Sequence, residues 1–186
     1  MTTALDALQY RRVVGRFATG ITVITTVTPS GRPSITGDLH HAMTCNSFTS
    51  VSLDPVLVLF CAEKVARFHE AVLESGSWAV SVLSNGQEHI SRHFAVRGRD
   101  LEGQFAELPH TLGPVTGAVV LDGALAALEC RTVSVTDAGD HTVLIGEVLG
   151  LSVPDPAAAP LLYYEGRYRT FRDCPGSSES AAPARP

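Results

Sequence analysis

A mainly β protein, an antiparallel barrel with helices at its rim, is the fold class this sequence predicts, and three observations predict it. Short segments rich in β-branched residues recur along the chain, at 21–28, 56–61, 78–83, 124–136 and 141–152. Only the stretches 3–18, 63–75 and 85–95 place apolar residues at helical spacing. The order of these pieces lacks the regular alternation of strand and helix that a parallel sheet requires, and no internal repeat is visible.

The opening helix has Leu5, Leu8, Val13, Val14 and Phe17 on one side, Arg11, Arg12 and Arg16 between them, and Gly20 as a stop. Residues 21–28 read as a strand and 29–33 as its hairpin corner, because Pro29, Gly31 and Pro33 suit a turn. Residues 34–42 read as a short polar loop. Residues 43–55 then read as a polar strand leading by a short turn into the buried strand 56–61. The second helix, 63–75, places Val65, Phe68, Val72 and Leu73 on one face and ends at Gly76; the strand 78–83 follows, and a third helix opens on Asn85 as N-cap. The stretch 96–116 loses periodicity and is expected to run over the surface.

Residues 137–140 suit a tight hairpin turn, so the two long strands on either side should pair antiparallel. Residues 154–160 read as a loop and 161–171 as a last hairpin around Gly166. From 174 to 186 the composition falls to Pro, Ser, Ala and Gly, too little apolar surface to order itself. The expected organisation is one domain over 1–173 followed by a disordered tail.

The composition restricts the function classes. At 186 residues, with 45% hydrophobic and 18% charged residues, the chain builds one core with apolar surface to spare, which a dimer would use. The net charge is −5, and one lysine and thirteen scattered arginines give no footprint for nucleic acid. No run is long and apolar enough to cross a membrane and no signal pattern opens the chain, so the expected location is the cytoplasm, without membrane association. Cys45, Cys61, Cys130 and Cys174 stand apart with no CxxC pair and read as free thiols.

The chemistry concentrates at Thr44, Asn46, Ser47, Thr49, Ser50 and Ser52, small hydroxyl and amide side chains on one stretch. Such an edge can offer hydrogen bonds to a flat heteroaromatic ring, although a solvent-facing strand has the same composition. His141 follows a Gly139-Asp140 turn; Lys64 and Arg67 open the second helix, where amide dipoles and a cation both favour phosphate. Asp38, His40 and His41 have the chemistry of metal ligands, but no third histidine stands at fitting spacing and solvated loop residues are the expectation, with no metal.

Three segments give this chain a wider resemblance. They are 17–26 (FATGITVITT), 43–55 (MTCNSFTSVSLDP) and Gly139-Asp140-His141 with Ile145-Gly146-Glu147-Val148 after it. With weaker matches at 87–95 and 160–168, the chain resembles the flavin reductase-like family. The resemblance implies a split β-barrel of antiparallel Greek-key type that dimerises and binds FMN or FAD near the dimer interface. It implies that Thr44, Cys45, Asn46 and Ser47 line the flavin ring. Ser50 and Val51 would contact its ribityl and phosphate end, and Cys61, Ala62 and Lys64 would lie on the phosphate side, with Lys64 or Arg67 supplying the charge; Tyr164 and Tyr168 would either cover the flavin from one protomer or its neighbour or pack at the barrel rim. His141 would orient the nicotinamide of NADH or NADPH, because hydride transfer between stacked rings depends on orientation.

The implied activity is NAD(P)H:flavin oxidoreduction, supplying reduced flavin to a separate monooxygenase or halogenase. Two alternatives stay open: a single-component flavoprotein oxidase or oxygenase on the same fold, and a non-catalytic flavin-binding module. The sequence departs from the family pattern where 35–41 lengthens the connection to Met43, where Ala42 stands in place of glycine and where Val56 replaces a second proline. The longer connection is expected to bear on whether reduced flavin leaves or stays.

Overall fold

The computed structural model describes residues 6–29, 38–153 and 158–171. The expected corner at 30–33, Ile35 to Gly37 of the longer connection, most of the loop 154–160 and the tail from 174 onward lie outside the described residues. In chain order the elements are α1 (Ala7–Val14), β1 (Thr19–Gly20), β2 (Thr22–Pro29), β3 (Asp38–Cys45), β4 (Thr49–Leu53) and β5 (Val56–Glu63). Then come α2 (Arg67–Ser75), β6 (Ser77–Val82), a 3-10 turn (Asn85–Gln87), α3 (Glu88–Ala95), β7 (His110–Leu112) and β8 (Val119–Leu121). The chain closes with β9 (Ala126–Ala138), β10 (His141–Ser152), β11 (Leu161–Tyr164) and β12 (Arg167–Thr170).

The main sheet has the order β3-β2-β6-β9-β10-β5-β4, with every neighbouring pair antiparallel. Laid flat, its outer edges would stand roughly 29 Å apart. The chain nevertheless passes from the β3 edge to the β4 edge through Asn46, Ser47 and Phe48 alone, a path that spans roughly 14 Å at most. The sheet must therefore roll into a barrel with its seam at these three residues. The stretch 43–55, expected as one strand, is instead two opposite edges and the crossing between them.

β2 is buried on both faces, which explains its unbroken run of β-branched residues. Ile24 joins a cluster with Phe60, Phe68, Val72, Trp78 and Leu144, where Phe60 and Trp78 meet edge to face at 4.8 Å. Its neighbour Val23 joins a second cluster with Leu83, Ile90, Phe94, Phe105 and Leu121 under α3. The two rim helices thus cover the two faces of one central strand. α2 ends where Gly76 takes φ +65°, a conformation that only glycine adopts cheaply.

Four local expectations are corrected. Residues 38–42 are strand, because β3 pairs with β2 from Asp38↔Pro29 to Cys45↔Thr22. The capping residue is Ser84, at the start of the 3-10 turn that leads into α3: its backbone N–H donates to Gln87 Oε1 at 3.0 Å in a capping box, and Asn85 begins the turn. The stretch 96–116 is mostly exposed, as expected, but it is not detached from the core or without structure, since it buries Gln104 and Phe105 and contributes β7 to a hairpin with β8. The β9–β10 turn is tighter than 137–140, because Ala138 already pairs with His141. The last hairpin forms as expected, and β1 pairs with β11 at its edge.

Candidate active site

A cavity of about 540 Å3 opens between the β3 edge, the end of β5 and the two rim helices. Its floor is β3 from His41 to Cys45, continued by Asn46 and Ser47; Cys61 and Glu63 come from β5 and His141 from β10. The start of α2 and residues 94–99 after α3 form the opposite wall. A cavity of this size with a few convergent polar groups suits a small ligand or cofactor.

Ser47 fixes the crossing. The Cys61 N–H donates to Ser47 Oγ at 2.9 Å, and the same hydroxyl lies 3.0 Å from Cys45 Sγ. Thr44 Oγ1 donates to the Ser91 carbonyl at 2.7 Å, which ties the β3 edge to α3. Burial pushes the Cys45 thiol pKa up, against the opposing pull of its Ser47 contact, so this part of the floor presents a neutral sulfur.

The opposite wall is cationic. Arg99 donates to the carbonyls of Phe94 (3.0 Å), Val96 (2.9 Å) and Ala42, and its Nε donates to Gln104 Oε1 at 3.0 Å, so its role is to staple residues 94–104 onto β3. Burial, and then the charge of Arg67, lower its pKa. Arg97 forms a two-pronged pair with Glu63 at 2.7 and 2.6 Å. Arg67 donates to the Arg99 carbonyl, and no carboxylate pairs with it among the described residues. Three guanidiniums against one carboxylate favour an anionic ligand, and Arg67 has donors to give it.

Seven of the sequence-derived site residues meet at this cavity: Thr44, Cys45, Asn46, Ser47, Cys61, Arg67 and His141. The others lie elsewhere in this chain. Ser50 and Val51 sit exposed on β4. Ala62 is fully buried in the core, because alternation along β5 turns it away from Cys61 and Glu63. Lys64 is bound to the β9–β10 turn. Tyr168 bonds Ser91 Oγ at 3.0 Å and packs beneath Arg92 and against Tyr163, while Tyr164 is part of β11.

His40 and His41 do not converge as ligands. Alternation along β3 sends His40 toward Phe105 and His41 to Thr28 Oγ1, 2.9 Å from its Nε2. Both are lowered in pKa, chiefly by burial, and the Nδ1 of each has no partner among the described residues.

Sequence reasoning missed Glu63, Arg97 and Arg99. The signal was the Arg97-Gly98-Arg99 triplet followed by the apolar Phe105, which in a stretch read as surface marked a segment held against the core.

A second, shallower groove of about 870 Å3 lies on the other side of the crossing, beneath α1, and shares Asn46 and Ser47 with the first.

The sequence profile of the flavin reductase like domain matches residues 14–172. An NADH-dependent FAD reductase of Streptomyces globisporus is 41% identical over 178 residues, covering 95% of this chain and 91% of that protein. The reductase subunit of a flavin-dependent monooxygenase from Mycobacterium tuberculosis is 39% identical over 169 residues, covering 90% and 84%. Among solved structures, the flavin reductase component of a bacterial two-component tryptophan halogenase superposes with TM-score 0.80 at 40% identity, covering 91% of this chain and 100% of that one. The Streptomyces globisporus NADH:FAD oxidoreductase in complex with NAD and FAD fragments gives 0.81 at 40% identity, covering 96% and 99%. The chain, a barrel open at a three-residue seam with a cationic cavity beside it, belongs to the flavin reductase like domain family.

Proposed function

We propose that this protein is an NADH:flavin oxidoreductase that serves as the reductase component of a two-component flavin-dependent monooxygenase or halogenase. The observation that carries the reading is the convergence of the Thr44–Ser47 edge, Arg67, which no carboxylate pairs with among the described residues, and His141 on one cavity. Relatives named as NADH-dependent reductases of FAD and of FMN support the reading, as do others named as the reductase subunit of a monooxygenase and the reductase component of a halogenase.

The residues present fit a flavin nucleotide. Backbone and side-chain groups at Thr44, Asn46 and Ser47 would hold the edge of the ring system, with the neutral Cys45 thiol beneath, and Arg67 would hold the phosphate end. The flavin, when bound, supplies the acceptor for the hydride of NADH. His141 would hold the nicotinamide carboxamide, with its ring fixed by Asp140 Oδ1, which lies 2.7 Å from its Nδ1. Asp140 itself is lowered in pKa, first by that hydrogen bond and then by the histidine charge.

The working unit in this reading is a homodimer in the cytoplasm. Val51, Leu53 and Val56 around the β4–β5 corner, Val133 and Val135 on β9, and Leu149 and Leu151 on β10 are all exposed in the single chain, and α1 buries none of its residues. A second copy would cover such a surface. Free thiols at Cys45, Cys61 and Cys130 agree with a reducing compartment.

Anaerobic mixing of the flavin-loaded protein with NADH tests the function. Bleaching of the oxidised-flavin band near about 450 nm within seconds is the expected result. Reduction that waits for an added organic substrate would instead indicate a flavoprotein oxidase.

A further inference from the structure

The hairpin that presents His141 has little packing to hold it. Residues 133–140 are all exposed, and the ladder to β5 ends at the pair His141↔Glu63. The turn is a two-residue one: Ala138 pairs with His141, and Gly139 takes φ +67°, the positive value that a first central glycine supplies.

One residue outside the hairpin grips this turn. The Lys64 backbone N–H donates to the Asp140 carbonyl at 3.0 Å, its ammonium donates to the Gly139 carbonyl at 2.7 Å, and the same ammonium pairs with the Asp137 carboxylate. An exposed ion pair alone does little. Here, however, three bonds from one residue end on Asp137, Gly139 and Asp140, and the turn cannot tilt against β5 without breaking them together. Asp140 is in turn the residue that holds His141 Nδ1.

We infer that Lys64 is a positioning residue for NADH use: it locks the β9–β10 turn so that the Asp140–His141 pair is held at the cavity rim, and it is not a ligand of the flavin phosphate. The inference rests on the reading of His141 as the nicotinamide-orienting group. It also divides the two cations at the start of α2 by task, Arg67 toward the bound anion and Lys64 toward the hairpin.

The test is a double-mutant cycle in the full-length protein, with steady-state kinetics in NADH and flavin affinity read from fluorescence quenching. Lys64→Met should raise the KM for NADH about fivefold while flavin Kd and kcat stay within about twofold. Lys64→Arg, which keeps the charge and the reach, should restore most of the loss. In a His141→Ala background, Lys64→Met should add nothing. Weakened flavin binding with unchanged KM for NADH would overturn the inference and make Lys64 a phosphate ligand. Effects that multiply in the double variant would also overturn it, because Lys64 would then act independently of His141. His141→Ala with unaltered NADH kinetics would sink the histidine reading itself, and the inference with it, which separates the two failures.

Discussion

The two edges of the barrel, β3 and β4, flank the same three-residue crossing and end in opposite conditions. β3 is covered: α3 bonds Thr44, Arg99 and Gln104 bond the carbonyls of Ala42 and His40, and His41 is buried beneath α2. β4 is bare, with Ser50 and Val51 exposed and Leu53 89% exposed. One edge is a finished cavity wall within a single chain; the other is an exposed, partly apolar surface, the one that the proposed dimer would cover. Family-derived contacts on β3 therefore fall at the cavity, while those on β4 do not.

This contrast can be broken most sharply on the covered side. Arg99→Ala removes the donors of three backbone carbonyls and of Gln104, and should cost about 3 kcal/mol in urea unfolding and release the cationic wall, so that flavin binding weakens in parallel. On the bare side, Leu53→Asp should leave the fold intact and convert the dimer to a monomer by light scattering. Flavin affinity should fall about tenfold if the neighbour completes the site. A monomeric wild-type protein, or a variant that stays dimeric, would remove β4 from the interface.

The smallest effect separates the edges by pH. His40 and His41 have folded pKa values below the ordinary 6.5, first because of burial. Below 6.5 the unfolded chain therefore binds protons that the folded chain does not, so stability is full above that pH and declines as the pH falls through the lowered values. His41→Gln should flatten this decline in denaturation series between about pH 5 and 8, whereas no substitution on β4 should change it.

The legible part of this molecule follows from short-range chemistry. The glycine turn before His141 and the β-branched run of β2 each declare themselves within a dozen residues, and the antiparallel barrel follows from the order of the elements; of the apolar stripe expected at α2, Phe68 and Val72 are buried while Val65 and Leu73 are exposed. What sequence reading misplaced depends on distant partners. His40 and His41 look like polar loop residues until Thr28 and Phe105 are seen beside them. Arg99 looks like a surface charge until its acceptors, the carbonyls of Ala42, Phe94 and Val96, are known. Lys64 suits a phosphate by type and position, and only the three-dimensional arrangement shows that the β9–β10 turn takes its bonds. Ala62 lies away from the cavity for a simpler reason, since a one-residue step along β5 exchanges the cavity for the core.

The sheet order also has a consequence for how the protein forms. β2–β3, β4–β5 and β9–β10 are hairpins of near neighbours, while the joints β2–β6, β6–β9 and β5–β10 bring together segments far apart in sequence. Local hairpins form quickly and the distant joints are slow. The cavity draws its lining from β3, β5 and β10, which belong to three different hairpins. A chain with every hairpin made but the joints open has no binding site at all, so ligand capture during refolding would report the final closure of the barrel and nothing earlier.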